Sequence, residues 1–505
     1  MVNKKSKMAV KQQIYQWHRR LSLIIALPVL LWAISGLMHP FMTAVKPKIK
    51  HGPTPPNVID TGEVKVPLAV VLQQLHLDSV QQVNIVRMHQ QPFYQVEPGS
   101  HYVSATTGQE MPDGAAEYAR SLAQTFLGDR NCNISRVTRI TAFTDQYRDI
   151  NRLLPVYKVD FDRSDGISLY VDDAGSRLAL ATDHFRIGFQ RFFTLVHTWE
   201  WLLILGKGRL VVEAILAGLT FITALLGLYL FFCTKPPKAR SNQRLKYRAL
   251  HRITSIITVL FTLMFSFSGA FHALAKFKGD HRRDFFVAPY FAAGDVQLNL
   301  PRLLHVLDPN TAINSLSLVS LQGENYWRIN QTWFNNTADL EACCRKPGEV
   351  VPVNAQPKVT YVRMSDYQVL PDGDARYARY LAHTFSGLPD RDIQATDPVT
   401  AFGGEYEFID KRLPVVKVSY GGAAPVRYYV ETSTGVLSVA VSDKDLVEGY
   451  SFALLHKHHF WDGLGKTVRD ASTITGALLN VLAVVIGLIL YRYTIKKKNK
   501  SLRHY

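Results

Sequence analysis

The chain has 505 residues, with 58 Lys and Arg against 41 Asp and Glu, a formal charge of +17. Its length predicts more than one domain. The basic excess gathers in "MVNKKSKMAVKQQ", "CTKPPKARSNQRLKYR" and "IKKKNKSLRHY", each beside an apolar window, so membrane topology accounts for the charge and argues against nucleic acid as a partner.

In chain order, residues 1–40 read as a basic tail and a first span over Leu21–Met38. That window is longer than the apolar core of a signal peptide and lacks an A-x-A cleavage site, so it reads as retained. Residues 41–190 form a first outer segment. Residues 191–233 hold a histidine segment and a second span over Ala214–Cys233, and 234–250 a basic loop. A third span, Ile253–Phe271, lies in 251–275, and a second outer segment in 276–450. Residues 451–492 repeat the histidine segment and span (Ala471–Tyr491), and 493–505 form a basic tail. Each window has about 18 to 21 uncharged residues, near the ~20 that a bilayer core requires. The positive-inside rule puts both termini and the 234–250 loop in the cytoplasm and both long segments outside.

The outer segments mix helical runs ("AAEYARSLAQTF") with alternating strand-like runs ("ISLYVDD", "VRYYVETSTGVLSVAV") and turns such as Pro-Asp-Gly, which reads as α+β. They also repeat. "PDGAAEYARSLAQTF" at 112–126 matches "PDGDARYARYLAHTF" at 371–385, "RLLPVYKV" matches "KRLPVVKV", and "FFTLVHTWEWLLILGKG" aligns with "SFALLHKHHFWDGLGKT", mostly at a constant offset of 259. The reading is a tandem duplication of helix, outer domain, helix, with the pseudo-twofold axis along the membrane normal.

Histidines carry the chemistry. "WHRRLSLIIALPVLLWAISGLMH" at 17–39 and "LHRITSIITVLFTLMFSFSGAFH" at 250–272 place His18 and His39, and His251 and His272, 21 residues apart in both copies. At 1.5 Å per residue that spacing is about 31 Å, one hydrocarbon thickness, with roughly 60° of angular offset, so both can face one bundle interior. His197 and His456 precede the second and fourth spans. Two imidazoles on facing helices clamp a haem iron from both faces. A bare zinc or copper ion is the competing ligand, although no carboxylate or thiolate stands beside the inner pair. On the outer side like can pair with like, His39 with His272 or His197 with His456, or mixed pairs (His39 with His456 and its symmetry mate) can hold two haems beside the axis. His458 and His459 face Trp199 and Glu200 in the first copy and read as surface residues or contacts to substrate iron.

Cysteine usage excludes two alternatives. Cys132, Cys233, Cys343 and Cys344 include no C-x-x-C, so neither covalent haem attachment nor a thioredoxin-like dithiol is encoded. The outer cysteines permit a disulfide, but spacing assigns no pair. No dinucleotide or P-loop fingerprint occurs, and the cytoplasmic segments are too short for a flavin or nicotinamide domain. Electrons would have to come from a quinol or a cytoplasmic reductase.

These motifs resemble the PepSY-associated transmembrane family, which includes inner-membrane haem-containing reductases of iron and siderophore uptake. The resemblance rests on the two histidine-headed spans, on "LVHTWEWLLILGKGRL" and "LLHKHHFWDGLGK", and on the PepSY-like run "EYARSLA…RLLPVYKVDF…LYVDDAGSRL". It implies four transmembrane helices with two periplasmic α+β domains. It implies haem b (two per chain, with one or three as alternatives) held by His18, His251, His197 and His456. His39 and His272 depart from the family's more usual apolar residue; they are ligands of the outer or an additional haem, or a way station for iron. The implied activity is reduction of ferric iron or a ferric siderophore. The competing reading is a membrane-anchored periplasmic PepSY module, binding or regulating a peptidase without redox chemistry. Homodimerisation is left open.

Overall fold

A computed structural model describes residues 2–49, 58–236, 242–279, 285–335 and 356–502. Cys343 and Cys344 lie outside the described residues, as does the side chain of His39. The helices are α1 (Val2–Ala44), α2 (Leu68–Gln74), α3 (Gly114–Leu127), α4 (His184–Val196), α5 (Gly208–Cys233), α6 (Gln243–Lys278), α7 (Leu300–Val306), α8 (Gly373–Ser386), α9 (Asp443–Ser451) and α10 (Lys466–Leu502). The chain divides into two compact units. One comprises Met1–Lys46, Phe185–His281 and Lys444–Tyr505, the other Pro47–His184 and Arg282–Asp443.

The first unit is helical. Four of its helices carry segments long and apolar enough to cross a membrane: Met8–Met42, Gly208–Cys233, Gln243–Lys278 and Lys466–Ile495. An apolar environment offers backbone N–H and C=O groups no partner, so the helix must satisfy them internally. The few hydroxyls follow the same rule and donate to the carbonyl one turn back, as Thr220 does to Leu216 and Thr223 to Leu219. α5 packs beside α1 and α6, and α10 beside α6 and α1, so α1 and α6 face each other across one diagonal. α4 and α9 belong to this unit rather than to the outer segments, so the boundaries fall at His184 and Asp443 instead of 190 and 450.

The second unit is α+β. Its strands are β1 (Ser79–Val80), β2 (Gln82–Met88), β3 (Gln91–Glu97), β4 (His101–Ser104), β5 (Ile134–Ile140), β6 (Val156–Phe161), β7 (Ser168–Asp172), β8 (Arg177–Thr182), β9 (Phe291–Ala292), β10 (Thr311–Leu321), β11 (Glu324–Trp333), β12 (Gln356–Arg363), β13 (Val369–Leu370), β14 (Ile393–Val399), β15 (Val415–Tyr420), β16 (Val426–Glu431) and β17 (Val436–Ser442). Sheets β2-β3-β4 and β10-β11-β12-β13 bury one face together. Val83, Ile85 and Tyr94 meet Leu316, Trp327 and Ile329 in one core. Their other faces cover α3 and α8, which in turn pack on sheets β5-β6-β7-β8 and β14-β15-β16-β17. Because each central sheet covers the remaining face of the other, the two outer segments form one unit with a shared core, tied also by β1 pairing with β9.

The two halves of this unit match closely. α3 and α8 each start after an aspartate in left-handed conformation, Asp113 and Asp372, and end before Gly128 and Gly387. Tyr147 stacks on Tyr170 at 4.7 Å and donates to the Leu153 carbonyl, while Tyr406 stacks on Tyr429 at 4.5 Å and donates to the Arg412 carbonyl.

Candidate functional site

The repeated histidines found in the sequence resolve into two levels of the helical unit. At the inner level His18 in α1 donates from Nδ1 to the Thr223 carbonyl of α5, 3.1 Å away. Its ring lies over Gly227, where an added Cβ would stand 3.1 Å from Cε1. His251 in α6 repeats the arrangement on α10. It bonds to the backbone of Ala483, and a Cβ on Gly487 would stand 3.3 Å from its Cε1. A carbonyl only accepts, so Nδ1 of His18 carries the proton and its Nε2 keeps the lone pair, the tautomer a metal ligand needs.

At the outer level His197 ends the turn after α4, and His456 ends a wide turn over Phe452–His456 after α9. Ser35 Oγ lies 2.9 Å from His197 Nδ1, and Ser268 Oγ 3.2 Å from His456 Nδ1. Both hydroxyls already donate to backbone carbonyls, of Leu31 and Met264. They therefore accept from Nδ1–H of each ring. Phe193 stacks on His197 at 4.6 Å and Phe452 on His456 at 4.8 Å. The His197 and His456 ring centres are 6.3 Å apart, with planes at 79°. A metal–imidazole bond is about 2.0 Å, and a ring nitrogen lies about 1.1 Å from its ring centre, so two imidazoles on opposite faces of one ion have centres about 6 Å apart. The serine level lies 17 residues from the inner histidine in both α1 and α6, about 25 Å along a helix.

The remaining candidates are placed differently. His272 Nδ1 bonds Glu448 Oε1, and its ring stacks on Phe452 at 4.3 Å; it is not brought into the His197–His456 pair. His39 lies in α1, and its side chain is outside the described residues. His459 is partly exposed and held by Asp462 Oδ2 at 2.8 Å. His458, expected at the surface, is fully buried; burial pushes its imidazole down to about 4, so it is neutral. Among the described residues no group of three or more His, Cys, Asp or Glu gathers where it could hold a bare metal ion. The donors brought together at the His197–His456 level are two imidazoles.

The sequence marks Ser35 and Ser268 only through the Ser-Gly that precedes His39 and His272 in both copies. Gly227 and Gly487 lie in spans whose apolar pattern says nothing of a facing ring.

Residues 15–302 match the model of the PepSY-associated TM region. The match runs from the start of the first apolar segment, through the first outer segment, α5 and α6, to α7. No curated protein matches the chain. With four helices able to span a bilayer and a family model that covers more than half its length, the chain belongs to the PepSY-associated TM region family and is a multi-pass membrane protein.

Proposed function

We propose that this chain is a b-type haem reductase of the bacterial inner membrane that reduces ferric iron, free or siderophore-bound, on the periplasmic side. The observation that carries this reading is the His197–His456 pair, with ring centres 6.3 Å apart and both Nδ1 atoms tied to serines. His18 and His251 supply a second pair, oriented by the backbones of Thr223 and Ala483. Haem bound at these pairs would supply one-electron carriage between the two ends of the bundle. The chain's own part is to orient the imidazoles, keep the glycine faces of α5 and α10 open beside them, and exclude water. Reduction of iron weakens its hold on hard oxygen ligands and so favours release for uptake.

The basic clusters place both termini and the 234–250 loop in the cytoplasm in this reading, with a quinol or a cytoplasmic reductase as donor. The matched halves of both units support a tandem duplication, which explains why each ligand has a symmetry mate. A PepSY module without redox activity would leave both oriented pairs without a role. Vesicles loaded with a membrane-impermeant reductant test the activity. A ferric chelate outside should yield ferrous iron, trapped by a chromogenic chelator. His456→Ala should abolish this. Equal rates in the variant, or in vesicles without protein, would refute the reading.

A further inference from the structure

Trp199 and His458 occupy equivalent positions under the offset of 259. Each stands two residues beyond a histidine of the outer pair and has a left-handed backbone, with φ of 45° and 56°. Trp199 is 5% exposed and His458 0%. Each lies flat on an aromatic ring of a span: Trp199 on Trp32 at 5.0 Å and 11°, His458 on Phe265 at 5.2 Å and 7°. Each also has one ring nitrogen, Trp199 Nε1 and His458 Nε2, buried without a hydrogen-bond partner.

Native proteins rarely leave such a group unpaired, and here it occurs at two equivalent places. An indole nitrogen only donates, so the partner missing beside Trp199 is an acceptor. Beside His458, Ser472 Oγ stands 3.0 Å from Nδ1. Among the described residues no backbone carbonyl takes that hydroxyl, unlike those of Ser35 and Ser268. Its proton is left for Nδ1, which puts the ring proton on Nε2. Both halves then present an N–H donor near the outer histidine pair.

We propose that Trp199 Nε1–H and His458 Nε2–H donate to the two carboxylates of the group held between His197 and His456, one donor from each half. This rests on the haem reading, since haem b carries two propionate carboxylates. A donated hydrogen bond offsets carboxylate charge and so favours ferrous over ferric iron. Trp199 and His458 are therefore positioning residues that raise the potential of the outer haem.

The test is a redox titration of the purified full-length protein, read by its Soret and α bands, with Trp199→Phe and His458→Phe. Phenylalanine keeps the stacked ring and removes the N–H. Each variant should keep both haems and lower the potential of one by a threefold to tenfold change in the ferric-to-ferrous ratio, the tenfold limit being about 59 mV for one electron. The reciprocal variants Trp199→His and His458→Trp, which keep a ring N–H, should restore it. Unmoved potentials in both phenylalanine variants, or loss of a haem from either, would overturn the donor assignment. A wild-type protein without a Soret band would remove the haem reading, and this inference with it.

Discussion

Glu431 should be the most costly single charge to remove from the α+β unit. It ends β16 at 1% exposure, with Arg177 Nη2 of β8 at 2.5 Å and Arg412 Nη1 at 2.8 Å. The contact joins the two halves of that unit. Glu431→Gln keeps the shape but leaves two buried guanidiniums facing an amide. Removing one partner from a buried ion pair costs about 3–5 kcal/mol. Arg177 keeps Asp172 at 2.9 Å, which favours the lower end, about 3 kcal/mol. At about 2–4 °C per kcal/mol for a large domain, the midpoint should fall by roughly 6–12 °C. Burial opposes ionisation of Glu431, but the Arg177 and Arg412 guanidiniums outweigh it and hold the carboxyl below its usual range. A lowered folded value gives stability that is present above the unfolded value of about 4.3 and lost as pH falls through the folded one. The difference between wild type and variant should therefore be level from pH 6 to 8 and shrink below pH 4. Thermal unfolding in detergent, followed by near-UV circular dichroism, reads it. The fourfold change Asp172→Asn, Arg177→Met, Arg412→Met, Glu431→Leu should recover most of the loss, because it removes Asp172, the second partner of Arg177, with the other charges. A shift under 2 °C, or a difference that grows on acidification, would refute the reasoning.

Asp173 runs the opposite way: burial, then the neighbouring Asp172 carboxylate, pushes it up to about 6. A raised carboxyl binds its proton in the folded state, so this contribution to stability is lost as pH rises from about 4 to about 6. Asp173→Asn, which keeps an oxygen to accept from Tyr102, should add roughly 2–3 kcal/mol at pH 7.5 and flatten that pH dependence in thermal melts. Gly227→Leu and Gly487→Leu should each displace the neighbouring imidazole and cost the inner haem, measured as haem per protein, whereas Gly→Ala at either position should retain it with weakened binding. Ser35→Ala and Ser268→Ala free the outer imidazoles to rotate and should weaken haem retention by about 10- to 100-fold in a transfer assay to apomyoglobin.

The apolar windows and the repeated histidines were legible because both are patterns along the chain. The Pro-Asp-Gly turns likewise announced α3 and α8. What escaped were consequences of packing between segments far apart in sequence. Gly227 matters because His18 crosses from another helix to lie on it, and no local pattern records that approach. His458 stands in the polar-looking run "HKHHFW", yet the left-handed backbone at 458 turns it inward onto Phe265. The two outer segments read as separate domains because each has its own strands and helix. Their merger into one unit depends on the face that β2–β4 and β10–β13 share.

The measurement that tests the central claim most directly is the visible absorption and low-temperature electron paramagnetic resonance spectrum of the purified protein, with haem counted per chain, beside His18→Ala and His456→Ala. The account predicts two low-spin haems in the wild type, each with two imidazole ligands. It predicts one haem in each variant, with the resonance lost from His18→Ala different from that lost from His456→Ala. A wild-type protein without a Soret band, or two haems retained in both variants, would contradict it.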